Sequence, residues 1–162
     1  VAYCYGRDGF IQLGDENGHE ADLISPYNIY LKRDTLLMAA FNAVAYKSAV
    51  EADAAKLTIE VTGGGEFMDG TKTKTVTVKH MDPEAEDIPV SMWDGTYKGY
   101  YIISTKDNPI TSDTHVRLFA EKQLEGNNRI FIDNFNIMTI KREWWNMLSD
   151  ELPKDFLGNK NE

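Results

Sequence analysis

The sequence predicts an all-β sandwich, and three observations carry that prediction. Apolar residues alternate with polar ones along most of the chain, as half-buried strands require. The alternating segments follow one another with no helical pattern between them, the order expected of a sandwich rather than of a helix-layered sheet. Turn residues close several of them, as Pro26 closes 21–26 and three glycines close 56–65. With 162 residues, 42% apolar and 11% aromatic, the chain is the size of one ordinary domain and can bury a single substantial core.

About eight antiparallel strands are expected. "GFIQLG" (9–14) is the first, followed by the polar, turn-rich "DENGHE", and "ADLISP" (21–26) is the second, closed by Pro26. "TLLMAAFNAVAY" (35–46) is ambiguous: Leu37, Phe41 and Val44 fit helical spacing, while Leu37, Ala39, Phe41, Ala43 and Ala45 fit one face of a strand. Its context, with helices otherwise absent, favours a strand. "KLTIEVTGGG" (56–65) sets Leu57, Ile59 and Val61 against Lys56, Thr58 and Glu60, then ends in three glycines. "KTKTVTVKH" (72–80) alternates again, with threonines suited to a half-exposed pleated surface. "YKGYYIIST", "THVRLFAEK" and "NRIFIDNFNIMTI" complete the set. The tail "KREWWNMLSDELPKDFLGNKNE" changes character, and Trp144, Trp145 and Leu148 suggest a short helical segment ended by Pro153. The sandwich is therefore assigned to 1–141, and a tail that packs on it or leads to another domain to 142–162.

Two connections stand out. Residues 47–55 form an Ala-rich acidic link; "HMDPEAEDIPVSMWDGTY" (80–97) is a long loop with two prolines, five carboxylates and Trp93. Loops of that length in a small domain tend to be functional or disordered.

The last strand breaks its own pattern. Ile130 and Ile132 share a face, as do Phe135 and Ile137, but the step from 132 to 135 is three. A β-bulge at Asp133–Asn134 inserts one extra residue and returns the apolar residues to the core side. Asp133 then accepts from backbone N–H groups that the bulge frees, or ligates a cation; either satisfies a carboxylate in an apolar setting.

The charge balance excludes several functions. Net charge is −9, from 26 acidic and 17 basic residues, and no basic cluster exists to suit nucleic acid or an anionic membrane. No apolar run approaches the roughly 20 residues that span a bilayer, so no membrane insertion is expected. The lone Cys4 excludes an internal disulfide and a cysteine-based zinc site. The start, "VAYCYGRDGF", has no basic and apolar signal pattern; it reads as the interior of a longer chain, either cut from a leader or excised as a domain.

Catalytic signatures are missing. His19, His80 and His115 accompany no nucleophile motif and are expected at the surface. "GHEAD" lacks the second His of a zinc-protease helix, and "TGGGEF" lacks the Lys-Ser or Lys-Thr and the following helix of a phosphate loop, leaving a turn. Sugar binding asks for less: aromatic rings to stack on pyranose faces, and polar groups for the hydroxyls. "SMWDGTY" offers Trp93, Asp94 and Tyr97 at a loop–strand junction, with Tyr46 and Tyr27 as further candidates at strand ends. The alternative for Trp93 is a plug beneath the long loop.

These pieces carry a family resemblance. The closing strand "NNRIFIDNFNI", with "GFIQLG", "ADLISP", "TLLMAAFNAVAY", "AAKLTIEVTGGG" and "THVRLFAEK" in matching order over about residues 9–140, resembles lectin-like jelly rolls, a group that includes MAM-type domains and bacterial carbohydrate-binding modules. The chain lacks the cysteines of animal MAM domains and is most similar to jelly-roll modules of secreted and surface-anchored bacterial proteins. The resemblance implies a non-catalytic, extracellular or cell-surface glycan binder that requires no cofactor. In several relatives a structural calcium is held by the Asp of the last strand and acidic groups near the N-terminus. Asp133 matches the first; Asp15, Glu16 and Glu20 lie in the region of the second, Asp15 being the candidate carried forward. The other reading is an interaction or spacer domain whose partner is a neighbouring domain, with Trp144 and Trp145 in the docking face.

Overall fold

The alternating segments fold as strands. A computed structural model describes residues 4–7, 9–15, 18–26, 35–46, 55–81, 97–104, 107–121, 129–141 and 143. Among them ten strands form, and no helical element beyond the single residue Glu143. The strands are β1 (Cys4–Arg7), β2 (Phe10–Leu13), β3 (Ala21–Ile24), β4 (Thr35–Ala45), β5 (Ala55–Thr62), β6 (Glu66–Phe67), β7 (Thr73–Val78), β8 (Tyr97–Ser104), β9 (His115–Ala120) and β10 (Ile130–Lys141). They make a six-stranded sheet in the order β1-β2-β10-β4-β8-β6 and a four-stranded sheet in the order β3-β9-β5-β7. All strand pairs are antiparallel.

One apolar cluster draws on both sheets. Leu13, Leu37, Ala39, Phe41, Tyr101, Ile103, Ile130 and Ile132 from the larger sheet meet Ala21, Leu57, Ile59, Val61, Val116 and Leu118 from the smaller, which makes the fold sandwich-like. Alternation is cleanest in β5, where Ala55, Leu57, Ile59 and Val61 are buried and Lys56 is exposed. The outward side of the smaller sheet is wet. There Arg117 donates from Nε to Asp22 at 2.7 Å and lies 3.6 Å from Glu60.

The ambiguous segment is a strand, and its ambiguity has a physical cause. β4 lies between β10 and β8. Leu37, Ala39 and Phe41 enter the shared core, while Leu36 and Val44 are buried on the opposite side. A central strand covered on both faces has no polar side to display, so a period of two is masked. The outward side of this sheet is accordingly apolar, with Leu36, Ile102, Met38 and Ile140 in one cluster and Val44, Met81 and Phe131 in another.

Gly99 is required by packing. A Cβ there would lie 2.7 Å from Tyr101 Cε2 and 2.9 Å from Phe41 Cζ, so its absence makes room for the stacked Phe41 and Tyr101 rings, 6.0 Å apart.

Two strands exceed the expected eight. β1 pairs with β2 from Cys4–Leu13 to Arg7–Phe10, and the two-residue β6 pairs with β8 at Glu66–Ser104 and Phe67–Ile103. The glycine run is a turn leading into β6, with Gly63 and Gly65 at positive φ. The expected boundary after residue 141 coincides with the end of β10; the expected helical tail lies outside the described residues. Among the described residues no helix is long and apolar enough to cross a membrane.

Candidate ligand-binding site

Several connections leave the larger sheet from one end. β4 finishes at Ala45, the chain enters β10 through Arg129, β8 begins at Tyr97 across from Ala43, and the long loop departs at Met81. Backbone bonds tie these points together: Tyr46 N–H to Arg129 O at 2.7 Å, Ala45 N–H to Lys79 O at 2.9 Å, and Met81 N–H to Ala45 O at 2.9 Å. Both ends of the loop that carries Trp93 and Asp94 are therefore anchored here, although those two residues, like Tyr27, lie outside the described ones.

Tyr46 stands on the outward side of this end. Its ring meets Phe131 edge-on with centroids 6.1 Å apart, and Phe131 in turn meets Phe10 at 5.1 Å. The Tyr46 carbonyl is held by His80 Nδ1. Over the ring lies the Arg129 guanidinium, its Cζ 3.7 Å from the centroid. Arg129 Nε is buried and has no hydrogen-bond partner, and among the described residues no carboxylate pairs with this side chain. A stacked guanidinium keeps its N–H groups in a fixed plane, ready for ligand oxygens, beside an aromatic edge suited to apolar ligand faces.

Tyr97 faces the other way. It shares the inward side with Gly99 and Tyr101, packs against Phe41 with centroids 5.8 Å apart, and hydrogen-bonds Tyr101 through its hydroxyl. The fold thus places Tyr46 and Tyr97 at the same end of the sheet but on opposite sides. Arg129 was missed by sequence reasoning. Its only signal is its position directly before the closing strand, and its contact with Tyr46 spans 83 residues (129 − 46).

Asp133 sits in the expected bulge. The register runs Asp133–Asn42 and then Asn136–Ala40, so one extra residue is accommodated on β10, and Ile132 before it and Phe135 and Ile137 after it all pack on the core. Asn134 takes positive φ at 53°, a conformation that Asn tolerates better than most residues. Asp133 Oδ1 accepts from Asn134 N–H at 2.8 Å, and Asn136 Nδ2 donates to Asn134 O at 3.0 Å. An open groove of about 570 Å³ runs beside the bulge, bordered by Phe10, Ile24, Pro26, Asp133, Asn136 and Ile137 among others.

The register sets Asp133 and Asp15 toward opposite ends of the β2–β10 pairing. β2 runs antiparallel to β10 with Ile11 opposite Ile132 and Leu13 opposite Ile130, so Asp133 lies past Ile11 while Asp15 lies past Leu13, at the other end. Asp15 is engaged by His19 Nδ1 at 2.8 Å. Among the described residues no group of three or more His, Cys, Asp or Glu side chains is arranged to hold a metal.

The histidines are more constrained than surface residues would be. Each is half-buried, and His115 Nδ1 bonds Ser25 O at 2.7 Å as His80 bonds Tyr46. Burial pushes the Cys4 thiol up, which keeps it protonated and a poor nucleophile. Elsewhere, Lys74 Nζ reaches Asp69 at 2.7 Å beside the Phe67 ring. Burial alone would raise the Asp69 carboxyl, but hydrogen bonds from Lys74 and Thr71 outweigh it and hold the group at about 2.

Compared with known proteins, the chain matches no family model and no curated sequence.

Proposed function

We propose that this chain is a non-catalytic carbohydrate-binding module of the lectin-like jelly-roll kind, carried by a secreted or surface-anchored bacterial protein and needing no cofactor. The observation that supports the reading is the Arg129 guanidinium stacked on Tyr46 at the end of the sheet where the Trp93 loop is anchored. An aromatic edge with unspent N–H donors suits a ligand that is apolar on one face and hydroxyl-rich at its rim. Trp93 and Asp94 would add a second stacking ring and an acceptor from the loop. Affinity at one such site is weak, and neighbouring modules would raise it by avidity.

A glycan-binding screen of the purified chain, run with calcium and with EDTA, tests the proposal. Binding to at least one glycan class is expected, lost in Tyr46→Ala and in Trp93→Ala variants that keep the wild-type circular dichroism spectrum. A broad panel with no binder would refute it. One observation favours a second reading, a protein-docking or spacer domain: the outward side of the larger sheet is apolar, with Leu36 and Ile102 buried there and Met138 left 44% exposed.

A further inference from the structure

The unpaired state of Arg129 says more about the ligand than that it carries hydroxyls. Lys74 and Arg117 are each matched by a carboxylate at 2.7 Å, and half-buried Lys72 donates to the Gly63 carbonyl at 2.6 Å. Arg129 is half-buried, its Nε is shut off from solvent without an acceptor, and its described contact is the face of Tyr46. In a chain with 26 acidic residues against 17 basic ones, this partly desolvated guanidinium meets no carboxylate among the described residues, nor any hydrogen-bond acceptor at Nε. Removing such a charge from water is costly unless an anion meets it. The ring beneath is itself fixed, by the Phe131 edge on one side and by His80 at its carbonyl. The planar head is therefore held in place before any ligand arrives, and a planar fork of N–H donors matches the two oxygens of a carboxylate.

We infer that Arg129, presented on Tyr46, is a carboxylate-recognition point, and that the preferred ligand is an acidic saccharide containing uronic acid. The inference rests on the glycan-binding reading. Carboxylate and ring stacking would act together: the sugar face lies along the aromatic edge while its acid group meets the guanidinium.

Calorimetric titration with oligogalacturonate and with its methyl ester tests this, because the two probes share their sugars and differ in charge. The free acid is expected to bind at least tenfold more tightly than the ester. That advantage should shrink as sodium chloride rises from 50 to 500 mM, vanish in Arg129→Gln, and be partly kept in Arg129→Lys. The acid–ester comparison on the wild-type chain needs no variant, so a poorly folding substitution leaves the test intact. Equal affinity for acid and ester would overturn the carboxylate assignment and leave the glycan reading standing. Binding of neither probe, with neutral glycans bound in the screen above, would do the same. An equal gain with a sulfated galactan would overturn it in favour of any oxyanion. Failure of every glycan would remove both.

Discussion

Asn134 allows the bulge to be tested by backbone strain alone. Its side chain has no part in the two hydrogen bonds that brace the site, which use its N–H and its carbonyl, so substitutions there report mainly on the cost of φ at 53°. For an ordinary L-residue the left-handed region costs about 1–2 kcal/mol. Asn134→Ala should therefore destabilise by about 1 kcal/mol, and Asn134→Val, with a branched β-carbon, by about 2 kcal/mol. Asn134→Gly relieves the strain but adds about 0.5–1 kcal/mol of unfolded-state entropy, for a net change near zero. At this chain length about 1 kcal/mol corresponds to roughly 2–4 °C in Tm, so the valine variant should melt about 4–8 °C lower. Urea denaturation with a common m value gives the same ranking free of extrapolation in temperature. If alanine and valine match glycine within experimental error, residue 134 does not hold the left-handed turn in solution, and the register argument for β10 fails with it.

Two further predictions concern carboxylates. Asp133→Ala should lower stability by about 0.5–1 kcal/mol by removing the side-chain acceptor of the exposed Asn134 N–H, and Asp133→Asn should recover much of it; a Tm that instead falls for the wild type on adding EDTA would make Asp133 a metal ligand. Asp69 titrates at about 2, below its ordinary 3.8, so its ion pair with Lys74 contributes fully above pH 3.8 and is lost as pH falls through about 2. Allowing for solvent screening, the pair is worth about 1 kcal/mol. Chemical denaturation at pH 5 and pH 2 should show that much less acid loss in Asp69→Asn than in the wild type; identical acid sensitivity would count against the pair.

The sequence exposed the fold where one side of a strand is wet and concealed it elsewhere. β5 and β9 alternate because their outward side carries Lys56, Glu60 and Arg117. β4 is covered on both sides and so offered helical and strand spacing at once. β6 is two residues long, too short for any period to register, and β1 reads CYGR, with no apolar alternation to mark it. The bulge was legible because two apolar pairs, Ile130 with Ile132 and Phe135 with Ile137, fix the phase on either side of it. At the candidate site, Tyr46 was readable as a strand-end aromatic, but Arg129 was not, since a stacking contact across 83 positions (129 − 46) leaves no local trace. Tyr97 could have been placed by parity: it lies four residues before Tyr101 and six before Ile103, both buried, and so shares their inward side.

The position of β10 has a consequence for how the molecule is made. It is inserted between β2 and β4, pairing Ile132 with Ile11 across 121 positions (132 − 11). On the ribosome, β2 and β4 must each wait with one bare edge until residues 130–141 have emerged. Pairings so distant along the chain close slowly, and unpaired strand edges are where newly made chains stick to one another. Cutting the chain before residue 130 should therefore yield not a smaller sandwich but a split sheet that aggregates.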